Sequence, residues 1–157
     1  MSGMDAPPPV LQLARVIAYA AVDSSVRWTG RQKLFVGDEL LGAVPRLALC
    51  QNISGPVGNV LLFHCNDQWE VLGVSGGPTV EDAKAVAERA YEGITSKWVH
   101  MDVSPQEADQ WIRTNHSEVI CGFCGKLPTD VSGMIRGNGI AICFHCIDKL
   151  HTIAHSQ

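Results

Sequence analysis

The sequence predicts an α+β protein in two parts: an antiparallel sheet with helices, then a small cysteine-rich unit. Three observations carry this expectation. Over the first two-thirds of the chain, short apolar runs flanking turn dipeptides alternate with well-capped helical segments. Four of the six cysteines stand as two C-x-x-C pairs after residue 118, whereas Trp28, Trp69, Trp98 and Trp111 all precede them. Charge shifts at the same place: residues 1–118 carry nine basic and fourteen acidic side chains, and residues 119–157 carry three and two. A compositional change near residue 117 marks a boundary between differently built units. The expected division is a lead-in over 1–8, an α+β domain over 9–116 and the cysteine unit over 117–157.

The elements follow in order. Pro7-Pro8-Pro9 reads as an extended lead-in. Val10, Leu13, Ala14, Ile17, Ala20 and Ala21 recur at helical spacing, with Pro9 acceptable in a first turn, so a helix is expected there. Lys33–Val36 and Leu40–Leu41 flank a Gly37-Asp38 turn, and Arg46–Gln51 is a third short apolar run. Val60–Cys65 and Trp69–Val74 flank Asn66-Asp67, a hairpin signal. Thr79, with Asp82 three residues on, opens a helix through Ala83, Val86, Ala87, Ala90 and Tyr91, expected to stop at Gly93. Lys97–Met101 reads as a strand. Ser104-Pro105-Gln106-Glu107 is a capping box, and the helix it opens should include Trp111 and Ile112.

Composition excludes several classes of function. The chain has 157 residues, 46% hydrophobic and 18% charged, enough apolar material for a core and too much for a disordered chain. A net charge of −4 provides no general basic field for nucleic acid or anionic lipid. No apolar run approaches the roughly 20 residues that a spanning helix needs. The stretch from Val10 to Val22 is interrupted by Gln12 and Arg15 and lacks a basic start, so it does not read as a signal peptide. A soluble cytoplasmic protein is expected.

The chemistry-bearing segment is Cys121-Gly122-Phe123-Cys124, an eighteen-residue gap, then Cys143-Phe144-His145-Cys146. Two residues between thiolates let one tight turn aim both sulfurs at one ion. Two such turns complete a tetrahedral site, with Zn–S bonds of about 2.3 Å expected for zinc. Gly125 follows the second cysteine, where a knuckle favours a positive φ. Four thiolates leave no open coordination position, so Cys121, Cys124, Cys143 and Cys146 should hold one structural Zn2+ per chain. Disulfides are the weaker reading, since nothing in the sequence targets an oxidising compartment. Ile140-Ala141-Ile142 leads into the second knuckle, and Phe144–Ile153 reads as a helix with Ile147, Leu150 and Ile153 on one face. Knuckle, strand and helix-opening knuckle together suggest a treble-clef arrangement. Phe123, Leu127, Met134 and Ile135 add apolar bulk that so small a unit cannot bury by itself.

Cys121-Gly122-Phe123-Cys124-Gly125-Lys126, the eighteen-residue gap, Ile142-Cys143 and Cys146-Ile147-Asp148 resemble the zinc-binding domain of the bacterial ClpX unfoldase. The resemblance covers about residues 119–154, and the four cysteines match the metal positions one for one. It implies a treble-clef domain that dimerises and binds adaptor or substrate segments. The sequence departs from the family's pattern at Phe144-His145, where acidic residues are expected, and at Ser132-Gly133, where charged helical residues are expected. No G-x-x-x-x-G-K-[ST] phosphate loop occurs in the chain, which excludes ATP-driven unfolding on motif grounds.

The expected function is therefore a non-enzymatic zinc-binding interaction and dimerisation module, an adaptor or chaperone-associated protein for a peptide or protein partner. Its interaction surface is placed on Phe123, Leu127, Met134, Ile135, Ile147 and Leu150. A homodimer through the zinc unit is expected, with no membrane partner. Two rivals stand beside it. One is a small-molecule enzyme in the N-terminal domain, with convergent polar groups among His64, His100 and Arg46. The other is a nucleic-acid-binding finger, disfavoured because Lys126, Arg136 and Lys149 are its only basic residues. No catalytic set can be placed by spacing. Cys50 and Cys65 read as small core residues, and Ser75–Thr79 as a plain strand-to-helix loop rather than an anion cradle. His145 is expected outside the metal site. His151 and His155 stand one turn apart if the last helix continues; an exposed frayed terminus is preferred there to a second metal site.

Overall fold

The computed structural model describes residues 5–53 and 59–156. In chain order its strands are β1 (Val10–Leu11), β2 (Ala14–Ala21), β3 (Arg27–Trp28), β4 (Leu34–Val36), β5 (Glu39–Leu41), β6 (Arg46–Asn52), β7 (Val60–Cys65), β8 (Val71–Gly77), β9 (Tyr91–Glu92), β10 (Val99–His100), β11 (Met134–Gly137) and β12 (Ile140–Cys143). Three α-helices accompany them: α1 (Val80–Ala90), α2 (Pro105–Asn115) and α3 (Phe144–His155). The main sheet runs β1-β2-β6-β7-β8, with β10 also on β2, and every pairing within it is antiparallel. The architecture is α+β.

The helix expected from Val10 to Ala21 is instead a hairpin of β1 and β2. Val16, Ile17, Ala18, Val22 and the alanines between them form an almost unbroken apolar run, in which helical and strand spacings are both satisfied. Strand β2 meets an apolar cluster on each face, so its half-buried positions are mostly apolar too and the polar alternation of an ordinary strand is weak. A bulge between Val16 and Ala18 also switches faces, placing Val16 with the cluster of Cys50 and Phe63 and Ala18 with the cluster of Leu49 and Leu62. The turn falls on Gln12 and Leu13, at φ of 46° and 61°, without the glycine or asparagine that usually announces such a turn.

Other expectations hold with small adjustments. The hairpins at Gly37-Asp38 and Asn66-Asp67 form, and Asn66 Oδ1 accepts from the N–H groups of Gln68 and Glu70 to shape the second. Thr79 and Ser104 cap α1 and α2 by accepting from the N–H groups of Asp82 and Glu107. Helix α1 ends at Ala90 rather than at Gly93, because Tyr91 and Glu92 pair with β3. The Lys97–Met101 strand is confined to Val99–His100, a 3-10 turn occupying Ile94–Lys97. Ser75–Gly77 belongs to β8 itself. A side chain at Gly76 would meet the Val60 carbonyl oxygen at 2.2 Å, so glycine serves close strand packing there.

Three apolar clusters position the remainder. The first fills the space between one sheet face and the alanine stripe Ala83, Ala87 and Ala90 of α1. The second covers the opposite face, where Trp69 packs on Phe63 and Cys65, with Tyr19 edge-on to its ring and Asp5 accepting from its Nε1. The third joins Val10, Val103, Ala108 and Ile112 to Val119 and Leu127, the latter beyond the first knuckle. Arg113 of α2 reinforces that junction by donating to the Gly125 carbonyl at 2.9 Å.

Candidate metal centre

Cys121 and Cys124 sit on a tight turn held by three backbone bonds. The Cys121 N–H donates to the Lys126 carbonyl, the Gly125 N–H to the Cys121 carbonyl, and the Gly122 N–H to the Ala141 carbonyl. Gly125 adopts φ +75°, the conformation its position in the knuckle predicts. The second pair ends β12 and opens α3. Cys143 is the helix N-cap, its Sγ accepting from the Cys146 N–H at 3.4 Å, while the Cys143 N–H donates to Cys121 Sγ at 3.4 Å. Thiolate charge at this helix start is favoured by the free N–H groups and the helix dipole.

The four sulfurs lie within 4.8 Å of one another, and Cys124 and Cys143 are 3.7 Å apart. A tetrahedron of Zn–S bonds of about 2.3 Å separates its sulfurs by about 3.8 Å, so the spacing is that of a shared ion. It is far too long for a disulfide, which brings sulfurs to about 2.05 Å. Electrostatics point the same way. Burial opposes ionisation of Cys121, but N–H groups of Cys143, Cys124 and Phe123 outweigh it and bring the thiol down to about 6. Burial and the three neighbouring sulfurs push Cys146 up to about 12. Without a cation, four thiolates this close repel one another and cannot all be ionised. A divalent soft-ligand ion removes that conflict. Cys121, Cys124, Cys143 and Cys146 fit one structural zinc ion, and among the described residues they form the one such cluster of metal-ligating side chains.

The hairpin between the knuckles was not foreseen. Asn138 and Gly139, at φ of 51° and 75°, make its two-residue turn, and the Asn-Gly dipeptide was a legible signal for it. Its register sends Cys143 and Ala141 to the metal side, with Met134 opposite Cys143, and Ile135, Ile140 and Ile142 to the other side. Gly133 permits the turn into β11 to meet α3: a Cβ there would lie 2.3 Å from Phe144 Cε2, and the Phe144 N–H donates to the Gly133 carbonyl. The two places at which the sequence departs from the family's pattern therefore touch each other.

The other candidates fall as follows. Phe123, Ile135 and Leu150 are exposed, and Met134 and Ile147 are half-buried. Leu127 does not lie on a free surface; it is 1% exposed, enclosed by the cluster around α2. His145 is exposed on the first turn of α3 and is not among the four ligands. His64, His100 and Arg46 do not converge. His64 Nε2 meets Ser75 Oγ at 3.0 Å beside the Tyr91 ring, Arg46 lies over the Trp69 ring, and His100 is exposed on β10. Burial pushes the Cys50 thiol well above its ordinary value and Cys65 up to about 12, so both are protonated core residues. No helix of the described residues is long and apolar enough to cross a membrane.

No solved structure matches this chain. Residues 119–155, which hold all four ligands, the hairpin and α3, match the family model of the ClpX C4-type zinc finger.

Proposed function

We propose that the protein is a non-enzymatic interaction module whose zinc unit, a treble clef in arrangement, pairs with a second copy or docks a protein partner. The observation that supports this most directly is the outer side of the β11–β12 hairpin. Ile135 and Ile140 are each 60% exposed there, next to a metal centre with no open position for chemistry. Apolar side chains held rigidly on a metal-braced hairpin suit protein contact, and so few cations surround them that a phosphate backbone finds little to bind. The sheet domain would contribute partner specificity in the cytoplasm, towards a peptide or an incompletely folded chain.

Native mass spectrometry of the zinc-loaded protein tests this reading, with Ile135→Asp and Ile140→Asp as variants that keep the cysteines. The expected result is two chains carrying two zinc ions, and monomers with one zinc each for the variants. A zinc-loaded monomer in every sample, with no protein captured through this face, would refute self-association and leave the enzyme reading of the N-terminal domain as the better one.

A further inference from the structure

We propose that His151 and His155 form a second metal site, distinct from the cysteine cage, for a divalent transition ion that takes nitrogen ligands at right angles, such as Ni2+ or Cu2+. Helix α3 continues through His155 and is closed by the Ser156 N–H donating to the Ile153 carbonyl. Residues four apart on a helix stand one above the other, and the two imidazoles lie with ring centroids 4.2 Å apart and planes inclined by 53°. Two imidazoles bound to one ion at about 2.1 Å and at right angles have centroids about 4.5 Å apart, whereas a tetrahedral angle spreads them to about 5.2 Å. The observed separation lies nearer the right-angled value than the tetrahedral one. Both rings are exposed, so an ion reaches them without displacing packed side chains, and water completes its coordination. From Cys146 to His151 the helix rises about 7.5 Å, and this keeps the pair outside the reach of the zinc-bound sulfurs. The bound ion would clamp the last turn of α3 and hold residues 151–155 in helical form.

The test is calorimetric titration of NiCl2 into the zinc-loaded full chain, carrying no added histidine tag. The expected result is one Ni2+ per chain, an affinity at least tenfold weaker in either His151→Ala or His155→Ala, and no change in His145→Ala. Hydrogen exchange of the amides of residues 151–155 should slow on adding Ni2+ to the parent protein and not to the His151→Ala variant. Absence of Ni2+ uptake by the parent would overturn the proposal. So would undiminished uptake by a variant lacking both histidines, or a nickel–thiolate absorption band showing that the ion had entered the cysteine cage instead.

Discussion

Leu127→Ala probes whether the zinc unit and the sheet domain are energetically one body. Leu127 follows the first knuckle, yet its side chain is 1% exposed among Val10, Val103, Ala108 and Ile112 from the other side of the expected boundary. Truncation removes three carbons from this cluster, about 2.4 kcal/mol at roughly 0.8 kcal/mol each. The void adds to that cost according to how far its walls can collapse. Here they collapse poorly, because the chain on one side is tied to the metal knuckle and Arg113 is tied to Gly125. Leu→Ala changes at such sites cost about 3–5 kcal/mol, and about 3–4 is expected here. The assay is urea denaturation of zinc-loaded protein followed by tryptophan fluorescence. All four tryptophans precede the knuckles, so the signal belongs to the N-terminal part. The midpoint should fall with the slope unchanged, while Phe123→Ala, whose ring is 62% exposed, shifts stability by less than about 0.5 kcal/mol. A Leu127→Ala effect below about 1 kcal/mol on the tryptophan transition would refute the shared cluster and make the two parts independent.

Two further outcomes follow from the metal centre and from the sheet. Cys143→Ser removes a ligand while leaving a hydroxyl able to cap α3, so metal analysis should find less than one zinc per chain, residues 119–155 should lose structure, and the tryptophan transition should move to lower urea as Leu127 leaves the shared cluster. Apparent folding free energies of about 10–16 kcal/mol ride on such an ion, and full zinc content in the variant would contradict the ligand assignment. His64, 3% exposed, is pushed down to about 4 by burial. Since the unfolded value lies near 6.5, the unfolded chain binds more protons between pH 6.5 and 4. Stability from this group is therefore complete above pH 6.5 and declines by about 3 kcal/mol as the pH falls to 4. Imidazole titration by NMR should place His64 near 4, and His64→Gln should flatten that part of the pH dependence relative to the parent; a His64 titration near 6.5 would refute it.

The metal centre was legible in the sequence because its chemistry is local. Two residues between thiolates fix a turn, a glycine after the second cysteine fixes the sign of φ, and the count of four closes the coordination shell. The capped helices α1 and α2 and the Gly37 and Asn66 hairpins were legible for the same reason, each depending on side chain–backbone bonds a few residues apart. Tertiary structure alone decided the β1–β2 hairpin. Apolar clusters on both faces of β2 leave Ala14–Ala21 with apolar side chains on each side, and a bulge between Val16 and Ala18 shifts its register against β6. The place of Leu127 was decided in the same way. Its hydrophobicity marked it for burial or for a partner equally well, and only the approach of α2 and β1 selected burial. A sequence states what each residue needs nearby; which of two distant apolar surfaces supplies it is settled when the chain closes on itself.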